Sequence, residues 1–183
     1  FMSLKKMTHS RHSSAERSWF AGLMMSGKIT NEDYSVYLKQ QYECYNALES
    51  RFQSIENDLI ECLPEDLNRA SSIKADIEEL SQNANDIPVF DSTKKYVDYI
   101  LNKCDEELLY AHVYVRYLGD LKGGQMIAKR VPGKGRYYQF EDASKLEVFI
   151  RSNLREDSEF VEECNKCFDS AIALFKDLQN HLT

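Results

Sequence analysis

The chain has 183 residues, 43% of them hydrophobic and 29% charged, which is enough for one domain with a sizeable core and argues against wholesale disorder. Acidic side chains outnumber basic ones 30 to 23, and the net charge of −7 excludes a chain built as a whole to bind nucleic acid or an anionic membrane. Three prolines and seven glycines supply too few turns for a sandwich or barrel.

Phe1 precedes Met2 and reads as an addition ahead of the initiator, so the domain is placed at residues 3–183. The polar start that follows lacks the apolar core of a secretion signal. A first helix is predicted from Leu4 to Met25, loosening at Gly22 and Gly27. Thr30 and Asp33 resemble a capping box that opens a second helix. Its stripe of Tyr34, Leu38, Tyr42, Tyr45, Leu48, Phe52, Ile55 and Leu59 recurs at three- and four-residue steps, the mark of one buried face. Leu63 and Pro64 end it, Ser71–Ser81 reads as a shorter helix, and residues 83–88 read as a loop.

Ser92 opens a further helical stretch with Tyr96, Val97, Ile100, Leu101 and Cys104 on one face. The pattern continues, with a kink near Asp105, through Leu108 to Val131, and Pro132, Gly133 and Gly135 make the clearest loop of the chain. A helix over Ser144–Arg155 follows. The last one carries Phe160, Cys164, Cys167, Phe168, Ala171, Leu174, Phe175 and Leu178 on one stripe. The fold class is all-α. Apolar runs such as Ala21–Met25 reach only five residues, against the roughly 20 that a spanning helix needs, so no membrane anchor is expected. Five cysteines without framework spacing read as reduced, mostly buried thiols of a cytoplasmic, soluble protein, and Cys164-x-x-Cys167 lacks the second pair of a zinc site.

One segment breaks a local rule. Gly119, Gly123 and Gly124 lie within six residues of helical context, where each interior glycine costs about 0.5–1 kcal/mol relative to alanine. Arg116, Gly119, Asp120, Gly123 and Gly124 fall at helical spacing, a face almost without bulk that carries one guanidinium and one carboxylate. Close helix–helix packing would use such a stripe, and so would a flat ligand lying on the backbone. Asp120 favours the ligand, because an unpaired carboxylate against a packed helix is costly whereas a wet cavity accommodates it. Near the start, His12 and Glu16 are four residues apart, so the carboxylate can orient the imidazole as a metal ligand requires. His9 is the competing imidazole.

Ala111 to Gln125, AHVYVRYLGDLKGGQ, resembles the signature of the heme oxygenase family, and His12-Ser-Ser-Ala-Glu16 is similar to the sequence around that family's iron ligand. The resemblance implies an all-α fold with heme between the first helix and the glycine-containing distal helix. It implies His12 as the single protein ligand to iron, in preference to His9, which has no Ala-Glu tail, with Glu16 behind it. It implies no protein ligand on the other side, where O2 binds beside the Gly119 and Gly123–Gly124 backbone. Asp120, with Arg116 in the same network, would hold a water that delivers a proton to the activated oxygen and favours attack on the ring carbon.

Heme is then both cofactor and substrate, opened to biliverdin, with the alpha isomer expected, and with release of CO and Fe(II). Electrons come from an external donor such as a ferredoxin or a flavoprotein reductase. Lys5, Arg151 and Tyr114 match positions at the heme propionates. Glu147 departs from the lysine common among relatives and loosens the expectation of the alpha isomer. Lys122, Lys129, Arg130, Lys134 and Arg136 form a basic region suited to an acidic donor, or an ordinary solvated face. A heme carrier or sensor without turnover, and a helical interaction protein without heme, are the alternative readings. A carrier has no need of the Asp120–Arg116 pair.

Overall fold

The computed structural model describes residues 3–183, and the reading of Phe1 and Met2 lies outside them. The predicted first helix divides into α1 (Leu4–Met7), α2 (His9–Glu16) and α3 (Trp19–Met25). Local side-chain bonds explain the breaks. The Thr8 hydroxyl donates to the Leu4 carbonyl at 3.0 Å, and Ser18 caps α3 by accepting from the Ala21 amide at 3.2 Å. Short polar side chains compete in this way with a continuous helix.

The long helix α4 (Asn31–Gln53) starts where the capping signal predicts, with the Thr30 hydroxyl accepting from the Asp33 amide. Tyr34, Leu38, Tyr45, Leu48 and Phe52 of its stripe are buried. The helix ends at Gln53, earlier than the stripe suggests, which leaves Leu59 exposed. Helix α5 (Ala70–Leu80) and α6 (Asp91–Asn102) pack on α4 through Ile73, Ile77, Tyr96 and Ile100. Leu101, placed on the inner face by sequence, is exposed.

The second long prediction also divides. A bend at residues 103–108 separates α6 from a composite helix made of α7 (Leu109–Val113), a π-helical segment (Tyr114–Leu118), α8 (Gly119–Lys122) and α9 (Gly124–Ala128). Helix α10 (Ala143–Ser152) and α11 (Ser158–Leu182) close the domain. Fully burying each of the large α11 side chains Phe160, Leu174 and Leu178 contributes about 1.5–3 kcal/mol. Both α2 and the composite helix pack against α11, which holds the two sequence-predicted site segments on one support. Cys44, Cys104, Cys164 and Cys167 are buried, Cys62 is exposed, and none of these thiols is in a disulfide.

Candidate functional site

The composite helix is built to turn its residues in different directions. A π-helical segment widens the turn at Tyr114–Leu118, so the spacing that predicts one face no longer holds. Arg116 and Asp120 point inward and are buried, whereas Gly119 and Gly123 are exposed. A Cβ at Gly119 would meet nothing within 4 Å, and one at Gly123 would meet only the Gly119 carbonyl at 3.5 Å. Gly124 corrects the sequence reading. Its Cβ would lie 2.5 Å from Tyr138 Cδ1, so it serves helix packing and not the open wall.

That distinction gives a stability prediction. Tyr138 is stacked on Tyr137 with ring centroids 4.2 Å apart and cannot swing aside. Gly124→Ala is therefore expected to cost about 1–3 kcal/mol by overpacking, measured by urea unfolding of the heme-free protein. Gly119→Ala, with open space at its Cβ, is expected to leave the same curve unchanged or to stabilise it by up to about 1 kcal/mol through helix propensity.

Asp120 sits at the centre of a polar cluster inside the core. One carboxylate oxygen accepts the Tyr45 hydroxyl and the other accepts the Tyr137 hydroxyl at 3.1 Å. Burial raises the Asp120 carboxyl to about 7, although both tyrosine hydrogen bonds and the charges of Arg69 and Arg116 pull it back. It can therefore give or take a proton near neutral pH. Gln41 links the two charges of the motif: its amide nitrogen donates to the Tyr137 hydroxyl at 3.0 Å, and its oxygen accepts from Arg116 Nη1 at 3.3 Å. Arg116 also lies over the Tyr96 ring at 4.3 Å. Its Nε–H is buried without a protein acceptor, a donor that asks for a water or ligand.

Sequence reasoning missed Tyr45, Tyr137 and Gln41. Tyr137 is delivered by the loop after α9. Gly133 and Gly135 take positive φ of 87° and 67°, the Asp76 carboxylate accepts from the Arg136 and Tyr137 amides, and the buried Arg69 guanidinium donates to the Tyr137 carbonyl. Arg136, assigned to the basic region, is tied to Glu79 at 2.7 Å and to Asp76 at 3.6 Å. It anchors this loop to α5. Lys129, Arg130 and Lys134 are exposed.

On α2, His12 Nε2 lies 3.2 Å from Glu16 Oε1, and the imidazole meets the Phe168 ring of α11 edge-on at 5.7 Å. The ring has a second nitrogen to offer a metal. Its side chain is 49% exposed, so the ring is accessible to a ligand. His9, the competitor, is hydrogen-bonded to Ser13 on the solvent side. Lys5 is exposed on α1. Tyr114 is half-buried: burial raises its phenol, while the Thr8 side chain and the Arg151 charge lower it, which brings the α1–α2 junction, the π-helical segment and α10 together. Glu147 occupies both neighbouring cations, with Lys122 Nζ at 2.9 Å and Arg151 Nε at 2.8 Å. These two bonds, Lys122 first, hold the Glu147 carboxyl below its usual range.

The heme oxygenase family model matches residues 2–177. The chain belongs to the heme oxygenase family. It is thereby an enzyme of a family of heme-degrading oxidoreductases. Bovine heme oxygenase 1 is 31% identical over 98% of this chain and 71% of its own length, and chicken heme oxygenase 1 is 28% identical over 96% and 68%. Among solved structures, heme oxygenase-1 of the cyanobacterium Synechocystis, crystallised with heme, superposes with a TM-score of 0.85 at 26% identity, covering 98% of this chain and 91% of its own. The heme oxygenase of Leptospira interrogans gives 0.82 at 28% identity, with 96% and 100% covered. The all-α family fold is thus the fold of this chain. Among the described residues no helix is long and apolar enough to cross a membrane.

Proposed function

We propose that the protein binds heme between α2 and the composite helix and opens it to biliverdin, with release of CO and Fe(II), using O2 and electrons from a separate donor. The carrying observation is the buried Asp120 carboxyl, held by Tyr45 and Tyr137 beside a helix wall that Gly119 and Gly123 leave free of side chains. A flat macrocycle fits such a wall, and the buried Arg116 Nε–H without an acceptor fits a wet pocket next to it. Heme-bound Synechocystis structures at TM-scores of 0.85 and 0.84 support the same reading.

His12 would supply a ring nitrogen to the iron, with Glu16 orienting its imidazole. Bound heme supplies the iron that activates O2 and the ring carbon that is attacked. Asp120 would hold a water and pass it a proton, Arg116 fixes the network through Gln41 and Tyr137, and the bare Gly119 and Gly123 backbone would let the macrocycle approach the helix closely. Gly124 contributes indirectly by seating the helix on Tyr138. Lys5, Tyr114 and Arg151 receive the propionates. A carrier that only stores heme has no use for a carboxyl raised to about 7 in a hydrogen-bonded cluster, which favours turnover. Aerobic incubation of the heme complex with a reductant, followed by pigment analysis, tests this: biliverdin supports the reading, and intact heme overturns it. An acidic donor docks on Lys129, Arg130 and Lys134, whose charges Arg136 does not join.

Glu147 sets the isomer. By holding both Lys122 and Arg151 it reduces the positive charge offered to a propionate. Glu147→Lys restores a cation and frees Arg151, so heme affinity is expected to rise about two- to fivefold, as fits one exposed ion pair. The proportion of alpha product is expected to rise with it. Chromatography of the bilins and a Soret titration check both, and identical values in parent and variant remove Glu147 from the account.

A further inference from the structure

The glycine motif does not account for the most buried charged pair in the chain. His112 and Glu163 are 1% and 3% exposed, with Nε2 and Oε2 2.6 Å apart, linking α7 to α11. Glu163 is itself well fixed, since the Tyr99 hydroxyl donates to both its oxygens at 2.8 and 2.7 Å and Cys104 Sγ donates at 3.7 Å. On the other side of the imidazole, Nδ1 lies 2.7 Å from the Tyr96 hydroxyl. With the Glu163 carboxylate fixing Nε2, the Nδ1 edge of the ring is held against the Tyr96 hydroxyl. The Tyr96 ring, held in this way, is the surface under the Arg116 guanidinium at 4.3 Å. Arg116 then reaches Gln41, Tyr137 and Asp120.

We infer that His112 and Glu163 are positioning residues for the distal site: a buried imidazole–carboxylate pair that sets the Tyr96 ring, and through it the place of Arg116. The inference rests on the proposed heme site only for its kinetic consequence. Its geometric part concerns the heme-free protein. A buried pair kept only for stability would be expensive, since two charges taken out of water gain little over apolar packing unless every hydrogen bond is made. Here every bond is made, and the last leads to the buried guanidinium of the motif. No proton can travel along this line, because the step from Tyr96 to Arg116 crosses a ring face and not a hydrogen bond. Its effect is on position.

Two variants separate positioning from mere stability. Tyr96→Phe keeps the ring and its packing and removes the hydroxyl with its bond to His112 and its longer contact to Cys167 Sγ at 3.8 Å, so the protein folds. His112→Gln places a polar nitrogen towards Glu163 and removes the ring nitrogen that faces the Tyr96 hydroxyl. The side-chain Nε–H resonance of Arg116 in the heme-free protein is followed by NMR, and heme affinity by Soret titration. In both variants the Arg116 Nε–H is expected to exchange with water about tenfold faster, because the guanidinium loses its fixed platform. Heme affinity is expected to stay within about twofold while the rate of biliverdin formation falls about three- to tenfold. Unchanged Arg116 exchange overturns the inference, whatever the activity. Faster exchange with unchanged turnover overturns its kinetic part. A heme complex that is inactive in the parent protein sinks the proposed function and leaves the Arg116 measurement standing.

Discussion

Asp120→Ala is expected to retain heme and to lose biliverdin, by about a hundredfold in rate or more, the scale on which positioned proton donors act. The carboxyl lies in a cluster without contact to His12, so the axial ligand and the Gly119 wall are untouched. What disappears is the group that holds a water and supplies its proton. Reductant is then consumed without ring opening, a split that spectra of the spent reaction and bilin chromatography reveal together. Full biliverdin yield from this variant would end the proposed role of Asp120.

Asp120→Asn adds a measurement independent of heme. In the folded chain burial raises the carboxyl from its ordinary value near 3.8 to about 7. A raised folded value means that the folded state binds the proton more tightly. The stabilisation is therefore complete below about pH 4 and lost as pH rises through about 7. Asparagine does not titrate. Urea unfolding is expected to show the variant gaining on the parent between about pH 4 and pH 7, by an amount on the order of a few kcal/mol. Parallel curves across that window would show that the buried carboxyl does not titrate there.

The fold was legible where one residue's reach decides structure. Helix α4 begins at the Thr30 cap, and Tyr34, Leu38, Tyr45, Leu48 and Phe52 of its stripe are buried as spacing dictates, with Tyr42 partly so. The breaks at Thr8 and Ser18 were not, because a hydroxyl bonding backward or capping forward leaves the same apolar pattern around it. In the site, the glycines announced themselves by breaking helix propensity, whereas Asp120 stood out on the expectation of an unpaired carboxylate, and Tyr45 and Tyr137 in fact satisfy both its oxygens. Gly124 was misplaced because a π-helical turn shifts the register, and nothing in the periodicity of Tyr114–Leu118 marks one. Tyr45 carried a signal that went unused. A tyrosine at the buried centre of a helix stripe, where phenylalanine would pack equally well, needs a partner for its hydroxyl, and that partner is Asp120. Tyr137 had no comparable mark. Its arrival depends on Asp76 and Arg69, roughly sixty residues earlier in the chain.

His12→Ala is expected to weaken heme binding on the order of tenfold or more and to change the absorption spectrum of the ferric complex, because the one nitrogen on that wall is removed. The side chain is half-exposed and braced only by Glu16 and the Phe168 ring, so the heme-free fold is expected to melt as the parent does. That separates loss of a ligand from loss of structure. Free imidazole added to the variant is expected to restore the parent spectrum by entering the space the side chain leaves. His9→Ala is the control: its ring is occupied by Ser13 on the solvent side, and its spectrum is expected to match the parent. Glu16→Gln keeps an acceptor near Nε2 but removes the charge. Its Soret band is expected to persist with a weaker iron–nitrogen bond, read as a lower iron–histidine stretching frequency in the ferrous complex. If His9→Ala changed the spectrum and His12→Ala did not, the axial ligand would move three residues towards the N-terminus and Glu16 would lose its part.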